Sequence, residues 1–307
     1  MNTEDEGRSG ADGRSAAAAD RKAAVDEGGA ADKNTAADAK LIRLKNILSS
    51  CGNLAIAFSG GVDSSLLCAA AHDCLGSAAV AFTIVSPLLP WSELEDARTV
   101  AAQIGIRHEL IYINSLDEEV LSNPPERCYY CKKRNFTRIL EAARGLGIGL
   151  LADGDNADDS SDFRPGARAA AELGVRAPLR EAGLNKEEIR ILSRRYGLPT
   201  AEKPSFACLA SRFPYGMRID AAGLRRVEKA EIYLHSLGFS QLRVRSHGDL
   251  ARIEVAPEER SRLFSLELLD KIDAEFKSLG FLYCCIDAGG YRMGSLNAGL
   301  KERGQRK

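Results

Sequence analysis

The chain has 307 residues, of which 45% are hydrophobic and 28% charged, and its 42 basic and 43 acidic side chains give a formal net charge of −1. These values are typical of a globular protein with one large or two small domains. The near-zero charge argues against a polybasic nucleic-acid or membrane-surface protein. No apolar run approaches the roughly 18 residues of a membrane-spanning helix.

The first 36 residues are predicted to form a disordered tail. Residues 1–40 hold 12 alanines, five glycines, nine acidic and six basic side chains, a net charge of −3 that leaves about +2 for residues 41–307. Such a segment buries too little apolar surface to offset its ordering entropy. It lacks the apolar core of a signal peptide and is too acidic for a transit peptide. We therefore expect a cytoplasmic protein with reduced cysteines.

From Asp38 onward, the pattern predicts alternating helices and buried strands. A helix ending near Gly52 comes first. Short apolar runs then predict strands at 53–58, 79–85, 108–113 and 148–152, with helices at 64–75, 91–104 and 129–145. This order predicts an α/β fold, a doubly wound parallel sheet with helices on both faces. Its ligands would bind at the carboxyl ends of the strands, in loops 59–63, 86–91, 114–128 and 153–165.

The rest of the chain predicts a smaller α+β unit. Asn185 and Glu188 indicate the start of one more helix of the α/β domain, which ends near Gly197. The smaller unit follows Arg212, and Asp220 indicates the cap of its first helix. A hairpin at 241–255, a helix at 257–279 and a strand at 281–287 follow. We divide the chain into a tail (1–36), an α/β domain (37–215), a small α+β domain (216–298) and a basic tail (299–307).

The segment Ser59–Ser65, SGGVDSS, lies between the first strand and its helix and predicts a phosphate cradle. Gly60 and Gly61 allow a sharp bend with exposed amides, and Ser64 and Ser65 open a helix whose amino end is partly positive. The spacing differs from a Walker A loop, and a plain strand-to-helix turn is the alternative. The segment resembles the pyrophosphate loop of the ATP pyrophosphatase (PP-loop) superfamily, which implies Mg²⁺ at Asp63.

A second pattern consists of cysteines. Cys128 and Cys131 form a C-x-x-C pair at a predicted helix start, which is expected to lower the thiol pKa, and Cys208 lies in a polar segment after the α/β domain. Zinc, an iron–sulfur cluster, dithiol redox chemistry and unrelated buried thiols are all compatible with this spacing. A closed zinc site would need a fourth ligand, with Cys284 and His247 as the candidates.

Several motifs in order narrow the resemblance. SGGVDSS, PPERCYYCK, DGDNADD, RPG, KPSFACLASR and GYRMGSLN, spread over residues 38–298, are similar to those of the LarE family of ATP-dependent sulfur transferases. The resemblance implies adenylylation of a carboxylate of pyridinium-3,5-biscarboxylic acid mononucleotide, a precursor of the nickel-pincer cofactor. AMP is then displaced by sulfur. It also implies a homo-oligomer, such as a hexamer. The near-zero charge predicts no nucleic-acid or membrane partner.

Within that family the sulfur has two sources. In one type the cysteine at the position of Cys208 gives up its own sulfur and becomes dehydroalanine. In the other, that cysteine joins the C-x-x-C pair to hold a 4Fe–4S cluster. Because Cys128, Cys131 and Cys208 are all present, we favour the cluster, whose fourth iron stays open for sulfide.

Further candidates are less specific. The resemblance implies that Gly154 and Asn156 lie near the nucleotide. Alternatives remain for the others: Arg164 is an anion clamp or a surface residue, Trp91 stacks on a ring or packs in the core, and Arg243 and Arg245 bind a phosphate or form a solvated strand face. Arg212 is expected close to the sulfur centre, four residues after Cys208. Five cysteines are assigned to packing: Cys51, Cys68, Cys74, Cys284 and Cys285.

Three other functions remain open. A tRNA thiolase would use the same chemistry, but the ordered part has no basic excess. An amide-forming synthetase of the NAD or GMP type would not need three thiols. A nucleotide-binding module without turnover would release no pyrophosphate.

Overall fold

The computed structural model describes residues 34–161, 165–204 and 207–292, except for the side chains of residues 160 and 161. Helix α1 covers residues 34–49 of this part. The strands are β1 (Leu54–Ala57), β2 (Ala79–Val85), β3 (Arg107–Tyr112), β4 (Leu151–Ala152), β5 (Leu242–His247), β6 (Leu250–Val255) and β7 (Tyr283–Ile286). The other helices are α2 (Val62–Leu75), α3 (Trp91–Ile104), α4 (Glu118–Leu121), α5 (Arg127–Gly145), α6 (Pro165–Glu172), α7 (Pro178–Glu181), α8 (Lys186–Arg195), α9 (Ala221–Ser236) and α10 (Leu266–Ser278).

The larger unit contains a parallel sheet with the strand order β3-β2-β1-β4. Side chains of successive residues point to opposite faces of a strand. In β1, Leu54 and Ile56 accordingly belong to one buried cluster and Ala55 to another. Helices α2 and α8 pack in the first cluster and α5 in the second. The predicted α/β class with helices on both faces is confirmed.

Some helices and strands of the larger unit begin or end at other residues than the sequence predicts. Residues 34–36, which fall in the predicted tail, are helical in α1, and Ala37 is fully buried. Strand β4 has only two residues instead of five, because Ile148 follows a turn that closes with a hydrogen bond to Ala143 O. The bounds of β2 and α3 agree with the prediction.

The smaller unit is built on a three-stranded sheet. Strands β5 and β6 form the predicted antiparallel hairpin, and β7 pairs with β6 in parallel. The predicted single helix at 257–279 is wrong: a 3₁₀ segment, Pro257–Phe264, precedes α10. Ser265 separates them because its backbone is extended and its side chain caps the amide of Leu268.

The two units share a junction. The core of the smaller unit also takes in Leu88, Val120, Leu209 and Phe213, which come from segments that connect the strands and long helices of the larger unit or follow them. The segment that carries Cys208 therefore lies between the units. None of the helices in the described ranges is long and apolar enough to cross a membrane.

Candidate active site

The loop after β1 bends back tightly against helix α3. Gly60 has a positive φ of 71°, and a Cβ there would lie 3.0 Å from Cα of Ala97. Only glycine fits this combination of backbone conformation and close approach without strain. The loop thus delivers the chain directly into the amino end of α2.

Hydroxyl groups fix the shape of this loop. Ser65 Oγ donates to Gly61 O at 2.8 Å and Ser64 Oγ to the same oxygen at 3.2 Å, while Ser59 N donates to Ser64 Oγ at 3.3 Å. Gly61 is the N-cap of α2, and no side chain caps the helix. The first amides of α2 are therefore available to an anion at the positive end of the helix dipole.

Asp63, in the first turn of α2, is held by two other segments. Its Oδ1 accepts a hydrogen bond from Asn156 Nδ2 at 3.3 Å. Its Oδ2 pairs with the ammonium group of Lys186, the first residue of α8. Three elements distant in sequence thus converge on the Asp63 carboxylate. Lys186 is a residue of this site that sequence reasoning missed. Its signal was the capping box Asn185–Glu188, which places position 186 at a helix start.

The loop after β4 lies directly on the phosphate loop. A Cβ on Gly154 would lie 3.0 Å from Ser64 N, so this position needs glycine for the close approach. Beside it, burial raises the pKa of Asp153. The ammonium group of Lys132, 3.4 Å from the Asp153 carboxylate, partly offsets this rise. Lys132 also approaches Asp155 at 3.5 Å. Gly154 and Asn156 therefore do lie beside the loop.

A single cavity of about 530 Å³ runs from the phosphate loop to two of the candidate thiols. One end is lined by Ser59, Asp63 and Lys186, and the other by Cys131 and Cys208. Apolar side chains form much of its wall, among them Phe82, Ile84, Phe136 and Ile139. Its volume is that of a small-molecule site, and its apolar wall is accompanied by polar and charged side chains suited to orient a ligand.

The three thiols are free, and Cys208 lies close enough to the other two to influence their ionisation. Neighbouring Cys208 raises the pKa of Cys128 and of Cys131, but burial contributes more in both cases, and the pKa of Cys131 rises to about 12. The expectation that the helix start lowers the pKa of this pair is wrong, because burial outweighs the cations nearby. In the ranges that the structure describes, no group of three or more His, Cys, Asp or Glu side chains is arranged to hold a metal ion.

Asn123 and Arg127 connect the C-x-x-C helix to the Cys208 segment, and sequence reasoning missed both. Arg127 donates to Ala210 O at 3.0 Å and to Asn123 Oδ1. Asn123 is fully buried with a positive φ of 55°, and its amide donates to carbonyls of the segment after Arg212, including Pro214 O at 2.8 Å. The run Asn-Pro-Pro just before the helix was the available signal, since it marks a fixed turn.

Arg212 lies close to Cys208 as expected, but its guanidinium is fully buried. It makes a two-pronged contact with the Glu231 carboxylate, at 2.9 and 2.8 Å, and donates to Ala207 O and, at 3.1 Å, to Cys208 O. These bonds fix the backbone on both sides of the Cys208 side chain. Arg212 thus has the geometry of a positioning residue.

Arg243 and Arg245 lie on the same face of β5 and are both buried, so the solvated strand face considered above is wrong. Arg245 pairs with Glu254 at 2.8 Å and donates to Ser211 O at 2.7 Å. Burial and the charge of Arg212 lower the pKa of Arg243, whose guanidinium lies 5.0 Å from the Tyr291 ring centre. Neither arginine lines the cavity described above.

Two candidates remain, Trp91 and Arg164, and the structure describes only Trp91. Trp91 is 64% exposed at the start of α3, so it is not a core residue, and it does not line the cavity. Arg164 lies outside the described residues, as do Ser205, Phe206 and the motif from Met293 onward. Among the cysteines assigned to packing, Cys68 is fully buried.

The fold and this cavity define the class of the protein, a PP-loop α/β protein. A family model described as asparagine synthase matches residues 44–137, which include the phosphate loop. An uncharacterized protein of Synechocystis is 45% identical over 260 residues, 84% of this chain and 97% of that protein.

A named relative specifies the family. The pyridinium-3,5-bisthiocarboxylic acid mononucleotide synthase of Lactiplantibacillus plantarum is 37% identical over 246 residues, 80% of this chain and 88% of the synthase. The chain belongs to the family of this synthase, which confirms the resemblance to LarE. A tRNA-specific 2-thiouridylase of Rickettsia conorii is 28% identical, but over only 49% of this chain and 51% of that enzyme.

Proposed function

We propose that the protein is an ATP-dependent sulfur transferase that acts on pyridinium-3,5-biscarboxylic acid mononucleotide. A carboxylate oxygen of this substrate attacks the α-phosphorus of ATP, and the bond to the β-phosphate breaks to release pyrophosphate. Sulfur then attacks the acyl carbon of the adenylate, and AMP leaves with the former carboxylate oxygen. The family membership and the named relative support this substrate.

The observation that carries the proposal is the shared cavity. An acyl adenylate has to be made and consumed in one place, because water would hydrolyse it during transfer between separate sites. Asp63 and Lys186 line the same cavity as Cys131 and Cys208. Such an arrangement keeps the activated carboxylate within reach of the sulfur source.

The nucleotide end supplies charge stabilisation. The uncapped amides of α2 would bind the phosphates, and they are already oriented before ATP arrives. Asp63 would hold Mg²⁺, which neutralises the charge that develops on the leaving pyrophosphate. One carboxylate suffices for this role, because Mg²⁺ in nucleotide sites is bound by one or two carboxylates together with the phosphates.

At the thiol end, we propose that Cys128, Cys131 and Cys208 hold a 4Fe–4S cluster, which would supply sulfide at its fourth iron. All three thiols are free, and thiolates are the protein ligands of such clusters; because they are not arranged around one point in the described residues, their side chains would turn toward the cluster as it binds. Arg127 and Arg212 would position the backbone that carries these thiols. In the alternative, the Cys208 thiolate attacks the adenylate, and loss of its α-proton breaks the Cβ–S bond to leave dehydroalanine and the thiocarboxylate.

Replacing Cys208 separates the two chemical steps. We expect Cys208→Ser to abolish sulfur transfer, since both sulfur routes need this thiol, and to retain pyrophosphate release within about threefold, since the phosphate loop is untouched. Pyrophosphate and thiocarboxylate are measured in parallel with ATP and the dicarboxylate nucleotide. Cys285→Ser, in β7 of the smaller unit, is the matched control. A wild type that releases no pyrophosphate would refute the proposed function.

Anaerobic purification distinguishes the sulfur sources. About four irons per chain, lost in Cys128→Ala, are expected for the cluster. An iron-free protein whose Cys208 loses the mass of H₂S in one turnover would show the sacrificial route instead.

We also propose that the protein is a cytoplasmic homo-oligomer, as the resemblance implies. Exposed apolar side chains on the smaller unit, Phe264, Leu266 and Leu282, support self-association. Light scattering at micromolar concentration measures the mass in solution, and a value of 33.1 kDa, that of the monomer, would contradict this proposal.

A further inference from the structure

The ion pair between Lys186 and Asp63 occupies the position where the proposed function places a metal ion. Both carboxylate oxygens of Asp63 have partners: Asn156 binds Oδ1 and Lys186 binds Oδ2. A divalent cation on this carboxylate would meet the ammonium group at close range. Like charges at that distance repel, so one of the two cations has to leave.

The backbone of Lys186 is fixed, whereas its side chain is held at its end by the ion pair with Asp63. Its amide donates to Asp158 Oδ2 at 2.9 Å, and the adjacent capping box between Asn185 and Glu188 closes the first turn of α8. Glu188 is tied in turn to Lys40 in α1 at 2.7 Å. The side chain itself is about one-third exposed and lines the cavity. A four-carbon stem on an anchored backbone gives the ammonium group several ångströms of reach.

The strength of the pair favours exchange. An ion pair open to solvent contributes little net free energy, because its members are well hydrated when apart. ATP brings several negative charges to the amino end of α2, where Lys186 already contacts Asp63 in the first turn. The ammonium group therefore gains more from phosphate oxygens than it loses at Asp63.

We propose that Lys186 is a pyrophosphate ligand that neutralises Asp63 in the nucleotide-free protein and moves to the β- and γ-phosphate oxygens when Mg²⁺ takes its place. The residue thereby keeps the metal position closed until nucleotide arrives. This inference rests on the proposed function only in using ATP as the nucleotide. It needs no assumption about the sulfur source.

Binding of pyrophosphate and of Mg²⁺ alone tests the proposal. In Lys186→Met we expect pyrophosphate affinity, measured by calorimetry in the presence of EDTA, to fall about tenfold or more, because a charge-assisted hydrogen bond is lost. The affinity for Mg²⁺ without nucleotide is expected to rise, because Asp63 no longer has a competing cation. A merely structural role of Lys186 would not move these two affinities in opposite directions.

Three comparisons complete the test. Lys186→Arg should keep pyrophosphate binding close to wild type, and AMP should bind Lys186→Met and wild type alike. Lys277→Met removes a similar surface ion pair, with Asp273 on α10, and should change neither affinity. Equal pyrophosphate affinity in wild type and Lys186→Met would overturn this inference, as would an unchanged affinity for Mg²⁺. A wild type that binds neither ATP nor pyrophosphate would instead overturn the proposed function.

Discussion

The two ends of the cavity are built in different ways. At the nucleotide end, the phosphate loop is a continuous segment whose shape is fixed by bonds among its own residues, such as Ser65 Oγ to Gly61 O. At the thiol end, Cys131 and Cys208 come from segments 77 positions apart along the chain. Buried guanidinium groups of Arg127 and Arg212 hold their backbones.

This difference has a thermodynamic consequence. Local hydrogen bonds close small loops and cost little chain entropy, whereas the thiol end needs long-range contacts between the two units. Those contacts include fully buried charges, which are tolerated only while they stay paired. We therefore expect the thiol end to be the more easily disrupted, and the nucleotide end to tolerate its loss.

The largest expected effect is at Arg212. Its replacement in Arg212→Met leaves the Glu231 carboxylate buried without its cation, and loss of one partner of such a pair typically costs about 3–5 kcal/mol of unfolding free energy. Urea denaturation measures this loss. ATP affinity should stay within about twofold under conditions where the variant is folded, since Arg212 does not line the cavity.

A double variant identifies the cause. Arg212→Met combined with Glu231→Gln removes the unpaired charge, while the Gln side chain can still accept the hydrogen bond from Val244 N. We expect it to recover part of the lost stability. A double variant as unstable as Arg212→Met would show that packing, rather than the isolated charge, dominates.

The same contrast explains what sequence could predict. The strand-to-helix loop at 59–65 and the bounds of α3 follow from local patterns of glycine, serine and apolar spacing. The burial of Arg243 and Arg245 does not, because it depends on packing between the units and on Glu254 across the hairpin. Lys186 and Asn123 were missed for a similar reason: their partners lie about 90 or more positions away.

Trp91 and the 257–279 segment show two further limits of prediction from sequence. From sequence alone, a single aromatic residue at a helix start does not show whether its side chain packs against the protein or faces solvent. In the structure, Trp91 is exposed. The apolar spacing through 257–279 is compatible with one helix, yet a single serine cap at Ser265 divides it. Element boundaries therefore depended on side-chain hydrogen bonds that periodicity does not report.

An intermediate effect is expected at Gly154, on the nucleotide end. The new methyl group of Gly154→Ala would lie 3.0 Å from Ser64 N and has to displace the phosphate loop. Such overpacking costs about 1–3 kcal/mol, so we expect ATP affinity to fall about tenfold in equilibrium binding. Gly149→Ala is the control, because nothing lies within 4 Å of a Cβ there. Similar losses in both variants would contradict the role of close approach at Gly154.

The smallest expected effect is a pH dependence to which both units contribute. Burial lowers the pKa of His108 in the larger unit and of His247 in the smaller one below the usual value of about 6.5. The unfolded chain then binds protons that the folded chain does not, so their contribution to stability is complete above pH 6.5 and is lost as the pH falls below it. Each histidine adds at most about 1.4 kcal/mol per pH unit to this slope. Urea denaturation at several pH values between 7 and 5 gives the unfolding free energy as a function of pH. This dependence on pH should be weaker in His108→Gln and in His247→Gln than in the wild type, and weakest in the double variant. A slope unchanged by either substitution would mean that other groups titrate in this range.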